Sequence, residues 1–132
     1  MDSAHGKVIS EIGVAMAVER LLRAGFRVAV PIVDEGYDLL AFDSRRYWRI
    51  QVKASQSKGK WSRTRIRIAC GRKHNARYCP THVDAFIVVH TEKRIVMCVP
   101  VSATNGRRNL NWSEADRWGD MGVLRTIKPQ RC

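Results

Sequence analysis

The chain has 132 residues, 45% of them hydrophobic, which is enough for one domain with a real core and too few for two comfortable ones. Lys and Arg number 24 against 12 Asp and Glu, giving a net charge of +12 and a pI of about 10.3, so the first partner to consider is nucleic acid. No run nears the ~20 apolar residues of a membrane span, the N-terminus lacks the apolar stretch of a signal peptide, and the basic residues fall mostly outside the one clear helix; the reading is a single domain over 1–132, cytoplasmic, with no membrane partner.

From Val8 to Leu22 apolar residues recur at helical spacing, and Gly25 stops the helix just before Phe26. The stripe expected to face the core is Val8, Glu11, Ile12, Ala15, Val18 and Leu22. Glu11 is out of place in it, because a carboxylate among apolar side chains is costly unless a cation or a hydrogen-bond donor meets it. Four β-rich segments follow, FRVAVPIV, GYDLLAF, YWRIQVKA and RTRIRIAC, separated by Pro31, Gly36, Asp43-Ser44 and Gly59. After a polar connector, VDAFIVVH and RIVMCVPVS read as two more strands, the first apolar enough to be buried on both faces. A short helix is expected from Ser113, where Ser-Glu-Ala-Asp has the character of a cap with an acidic first turn. Helix, six strands, helix implies an α/β or α+β fold, a mixed sheet with the first helix packed across it. Trp48 and Cys98 belong in the core.

With Ser44-Arg45 as the tip of a two-residue hairpin, Asp38 stands opposite Gln51, Leu40 opposite Arg49 and Phe42 opposite Tyr47. Trp48, Ile50, Val52 and Ala54 then face inward, and Arg49, Gln51 and Lys53 face outward. Carboxylates from Glu11 and Asp38 and the amide oxygen of Gln51 meet the demand of a divalent cation that prefers oxygen, Mg²⁺ with Mn²⁺ as its substitute. Lys53 follows Gln51 on the same face, ~7 Å along the strand, where an ammonium steadies a phosphate or orients an attacking water. A metal that polarises the phosphate and a cation for the developing charge are the parts that phosphodiester hydrolysis needs.

Between Ser44 and His82 there is no Asp or Glu, yet 12 of the 24 basic residues lie there. Repulsion of that density is costly unless phosphate offsets it. In RTRIRIAC the alternation of Arg with Ile sets Arg63, Arg65 and Arg67 on one face, a row of guanidinium groups suited to a phosphate backbone. The candidate DNA contacts are Arg49, Lys58, Lys60, Arg63, Arg65, Arg67, Arg72, Lys73 and Arg77, and Trp61 in the same segment either stacks on a base or anchors a loop. Cys70, His74, Cys79 and His82 offer four zinc-type ligands, but the spacing lacks both the C-x2-C knuckle and the H-x3-H pair, so the cysteines are read as reduced thiols.

Glu11 on the first helix, then GFRVAVPIVDEGYDLL, then IQVKAS, resembles the PD-(D/E)XK nuclease superfamily. The matching portion runs from about Gly6 to Ser55, with a looser likeness through VDAFIVVH and MCVPVS. The resemblance implies a restriction-endonuclease-like αβββαβ core with a mixed central sheet and flanking helices. It also implies that Glu11 and Asp38 bind metal, that Gln51 joins them where Glu or Asp is usual, and that Lys53 acts on the phosphate or the water. The Gln-x-Lys order looks like a branch that includes an intron-encoded homing endonuclease; archaeal Holliday-junction resolvases are similar in the helix and hairpin but carry the acid. Both relatives imply a homodimer or higher homo-oligomer. The expected function is a Mg²⁺-dependent endodeoxyribonuclease, homing-type or junction-resolving, acting on double-stranded or branched DNA. The alternative is a non-catalytic basic nucleic-acid-binding domain that keeps the fold, Gln51 marking a lost metal.

Overall fold

In the computed structural model, which describes residues 3–33, 35–56, 65–68, 83–104, 107 and 109–128, the first helix, α1, runs Ser3–Arg23. Gly25 ends it: its φ of +91° costs glycine little, and it directs the amides of Gly25 and Phe26 onto the carbonyls of Leu22 and Leu21 at 3.1 and 3.0 Å. That closure brings Phe26 against Leu21, and both side chains are buried.

The strands that follow are β1 (Arg27–Ala29), β2 (Leu39–Phe42), β3 (Tyr47–Ser55), β4 (Arg65–Arg67), β5 (Ala85–His90), β6 (Ile95–Pro100) and β7 (Asn109–Asn111). Five of them form one mixed sheet in the order β1-β2-β3-β5-β6, in which only the β3/β5 pair is parallel. β1 pairs over three residues, shorter than the FRVAVPIV segment suggests, and Pro31 just beyond it has no N–H to offer a ladder. The β2–β3 hairpin has the register that its turn predicts: Leu40 faces Arg49 and Phe42 faces Tyr47. Asp43 closes the turn by accepting the amides of Arg45 and Arg46 at 2.8 Å each, and those two bonds hold its carboxyl below the usual carboxylate range. β5 is buried along its whole length, as its unbroken apolar run requires.

Each face of this sheet has its own core. On one, Ala17 and Leu21 of α1 meet Leu39, Ala41, Trp48, Ile50, Val52 and Ile87. On the other, Phe86, Val88, Met97 and Val99 lie under the small antiparallel ribbon of β4 and β7, whose Ile66 and Leu110 point inward, and under Trp112 and Trp118. Trp118 closes α2 (Ala115–Trp118), a single turn. Its approach is capped by Asn111 rather than Ser113: the Asn111 Oδ1 accepts the Ser113 N–H at 3.0 Å, and the Glu114 carboxylate accepts the Asn111 N–H at 2.8 Å. Arg107 holds Glu114 with two bonds of 2.8 and 2.7 Å, which push the Glu114 carboxyl down and the Arg107 guanidinium up. Cys98 is a free thiol buried in β6, and burial pushes its pKa up, away from reactivity.

The inward face of α1 differs from the stripe expected of it. Gly13, Ala17 and Leu21 are buried, whereas Val8, Ile12 and Leu22 are 49%, 44% and 52% exposed and Glu11 is exposed too. The reason is closeness: a Cβ on Gly13 would run into the Ala54 side chain and touch Val52 Cγ1 at 3.8 Å, so only the smallest side chains let the helix lie this near β3. Gly13→Ala therefore gains about 1 kcal/mol of helix propensity but must displace α1, and a net loss of about 1–3 kcal/mol is expected in urea denaturation. Ala54→Gly in the same chain should recover part of it.

His90, at the end of β5, is fully buried; its Nδ1 accepts the Lys93 N–H at 3.1 Å and its ring stands edge-on to Trp112 at 5.1 Å. Burial, and then the Lys93 charge, hold its pKa below 6.5. As pH falls through 6.5 the unfolded chain takes up this proton first, so stability should fall below that point and level off only under the folded pKa. Melting temperatures across that range should show a slope that His90→Gln reduces.

Candidate active site

β2 pairs with the first four residues of β3 and then turns away. The departure point is Asp38. Its backbone N–H still donates to the Ile50 carbonyl at 2.8 Å, while its Oδ2 accepts the N–H of Val52 at 2.8 Å. A carboxylate thus takes the place on β3 where the next carbonyl of a longer β2 would sit. Val52 lies between Gln51 and Lys53, so Asp38 is anchored to the backbone that carries both. Because side chains alternate along a strand, Gln51 and Lys53 share the face opposite to α1, and both are half-buried.

Asp38, Gln51 and Lys53 are therefore brought together at the fork of β2 and β3. Glu11 is not among them. Its helix runs beside the far end of β3, where His5 Nε2 lies 3.1 Å from Gln56 Oε1 and Gly13 abuts Ala54. At about 100° per residue, however, Glu11 stands roughly 200° around α1 from Gly13, exposed, on a helix that covers the other face of the sheet.

Arg49, expected to meet DNA, is engaged within the fold. Its side chain is 20% exposed and grips the buried carboxylate of Asp84: Nε donates to Oδ2 and Nη2 to Oδ1, each at 3.2 Å, and the Arg49 N–H adds a bond of 2.7 Å. The Asp84 N–H returns a bond of 2.9 Å to the Arg49 carbonyl. This clamp joins β3 to the entrance of β5 beside the fork. Asp84 was the residue that sequence reasoning passed over, and its signal was an acid at the head of the apolar run VDAFIVVH.

Arg65 is exposed on β4, and Arg67 occupies the register position opposite Asn109 on β7. Lys58, Lys60, Trp61, Arg63, Cys70, Arg72, Lys73, His74, Arg77, Cys79 and His82 lie outside the described residues.

The donors at the fork are oxygens, one carboxylate and one amide carbonyl, a set suited to a hard divalent cation and not to a thiophilic one. Among the described residues no three His, Cys, Asp or Glu side chains converge to hold a metal ion.

A mixed five-stranded sheet crossed by one helix, with an acid at a strand fork and Gln-x-Lys on the neighbouring strand, defines a nuclease-like α+β protein. Residues 4–117 match the model of the PD-(D/E)XK endonuclease family, and the chain belongs to that family. Membership supports a nuclease function with DNA as substrate, and nucleases of this family generally use divalent metal ions. Among solved structures, a bacterial homing endonuclease, I-Ssp6803I, has the same fold: the TM-score is 0.69 at 20% sequence identity, over 80% of this chain and 76% of that one. No curated protein matches the chain.

The Asp38 hydrogen bond separates structure from chemistry. Asp38→Ala leaves the Val52 amide without its acceptor and should cost about 1–2 kcal/mol, whereas Asp38→Asn keeps a carbonyl oxygen in place and should cost less than about 0.5 kcal/mol. Denaturation of the two variants side by side checks it.

Proposed function

We propose that this protein is a divalent-metal-dependent DNA endonuclease of homing or junction-resolving type. The observation that carries the proposal is the seating of Asp38 on the Val52 amide, which holds a carboxylate between Gln51 and Lys53. Asp38 and the Gln51 carbonyl would hold Mg²⁺ or Mn²⁺, while Glu11, exposed on α1 at the other face of the sheet, does not join them in this structure. The ion supplies Lewis-acid polarisation of the phosphate and activation of the attacking water.

This chain's own residues do the rest. The Val52 N–H fixes one oxygen of Asp38 and so aims the carboxylate. Lys53 presents an ammonium on the same face as Gln51, where it offsets charge that grows on the phosphate in the transition state. The Arg49–Asp84 clamp holds β3 against β5 behind them. A duplex has two strands and one fork cuts one of them, so a homo-oligomer is part of the proposal; the exposed stripe of Val8, Ile12 and Leu22 on α1 is apolar surface for a second copy to cover.

The second reading is a non-catalytic nucleic-acid-binding domain. Gln51 and the exposed position of Glu11 favour it, since each lowers the negative charge available to a metal.

Supercoiled plasmid and a four-way junction, incubated with the pure protein in Mg²⁺, Mn²⁺ or EDTA, decide between the two. Metal-dependent cutting is expected, with a loss of about 10²-fold or more in Lys53→Ala and in Asp38→Asn. Gln51→Glu should tighten metal binding. DNA binding without cutting in either metal, together with a melting temperature that neither metal raises, would transfer the assignment to the binding domain.

A further inference from the structure

The face of the sheet that carries Gln51 and Lys53 is bordered by the β4–β7 ribbon. Ile66 and Leu110 face each other across it and are buried against Phe86, Val88, Met97 and Val99. Burial of that central pair settles which way the others point: Arg65, Asn109 and Asn111 are exposed on the outer surface. The ribbon is held firmly from below. Asn111 is committed to the Ser113 amide, and Arg107 at the foot of β7 is committed to Glu114.

The exposed side chains of the ribbon include an arginine on β4 and an asparagine on β7, and neither strand has a carboxylate at its outward positions. Those side-chain types are the two that read purines in a major groove, Arg paired to guanine O6 and N7, Asn to adenine N6 and N7. A two-stranded ribbon is also one of the shapes that groove admits, and two strands ~4.8 Å apart fit within its width of ~12 Å. Packed on the main sheet at a layer spacing of about 10 Å, the ribbon stands above the surface that holds the fork and to one side of it.

We propose that the β4–β7 ribbon enters the major groove beside the cleavage point and that Arg65 and Asn109 set sequence preference a few base pairs from the cut phosphate. The inference rests on the DNA-cleaving reading above and extends it from phosphate contact to base readout.

The test uses the full chain and a pool of duplexes with a randomised segment, selected for binding or cutting by the wild type, Arg65→Lys, Arg65→Ala and Asn109→Ala. Salt dependence of binding is measured for each. A lysine keeps the charge that a phosphate contact needs but not the fork that pairs with guanine. The expected result is that Arg65→Lys keeps the salt slope of the wild type and loses preference at a G·C position by roughly five- to hundredfold, while Asn109→Ala relaxes an A·T position. Unchanged melting temperatures show that the ribbon still folds. If Arg65→Lys selects the same sequences as the wild type, and Arg65→Ala weakens all of them alike with a salt slope smaller by about one, the ribbon only grips phosphate and the inference is overturned while the nuclease reading stands. A folded wild type that neither binds nor cuts any duplex removes both.

Discussion

Successive side chains of an extended strand point to opposite faces, and in β3 that constraint divides the side chains between the core under α1 and the candidate site. Trp48, Ile50 and Val52 are buried against α1, and the same spacing delivers Gln51 and Lys53 to the opposite face. A slip of one residue in the β2–β3 register would bury the polar set and expose the core, so the Asp43 turn that pins the hairpin also pins the site. The Gly13–Ala54 approach works to the same end from the other side, fixing how α1 lies on the strand.

The chain carries twice as many basic as acidic residues, and several of the acids that the structure describes have structural duties. Asp84 holds Arg49, Glu114 holds Arg107 and caps the turn before α2, Asp43 closes the hairpin, and Asp120 accepts the Gly122 amide at 2.8 Å. Glu19 pairs with Arg23 on the exposed flank of α1, an arrangement worth little in water. Asp38 Oδ2 accepts the N–H of Val52, on the strand that carries Gln51 and Lys53, and that bond orients the carboxylate.

The C-terminal part of the chain closes the molecule by a different set of forces. Arg46 lies over Trp48 with its guanidinium carbon 4.9 Å from the ring and bonds the Arg125 carbonyl at 2.9 Å, while Arg125 lies over Phe26 at 4.1 Å. The Trp48 indole N–H reaches the Ile127 carbonyl at 3.2 Å. Cations stacked on buried rings contribute up to about 1 kcal/mol each at partly exposed sites, and here they fasten the segment after α2 to the hairpin. Among the described residues, then, some basic side chains fasten the fold, as Arg46 and Arg125 do at the hairpin, and Arg65 is exposed on the ribbon.

Local chemistry made much of this readable in the residues themselves. Gly25 marked the end of α1, Asp43-Ser44 with a period of two on either side set the register of Leu40 with Arg49, and the unbroken run in VDAFIVVH announced a strand buried on both faces. Asp38 and the Gln-x-Lys of β3 stood out for the same reason, as polar residues at fixed spacing in apolar strands. Three things needed the folded chain. Which face of α1 turns inward was decided at Gly13 and Ala17, because apolar periodicity weighs the size of side chains and not the room left by the opposing strand. Arg49 found Asp84 and Arg65 found Asn111 across 35 and 46 residues, pairings that no local preference encodes. Sequence by itself determined which segments extend and which coil, and marked the polar residues that stand out in apolar strands; tertiary structure decided what each of them faces, because contacts between distant segments depend on how closely their surfaces can approach.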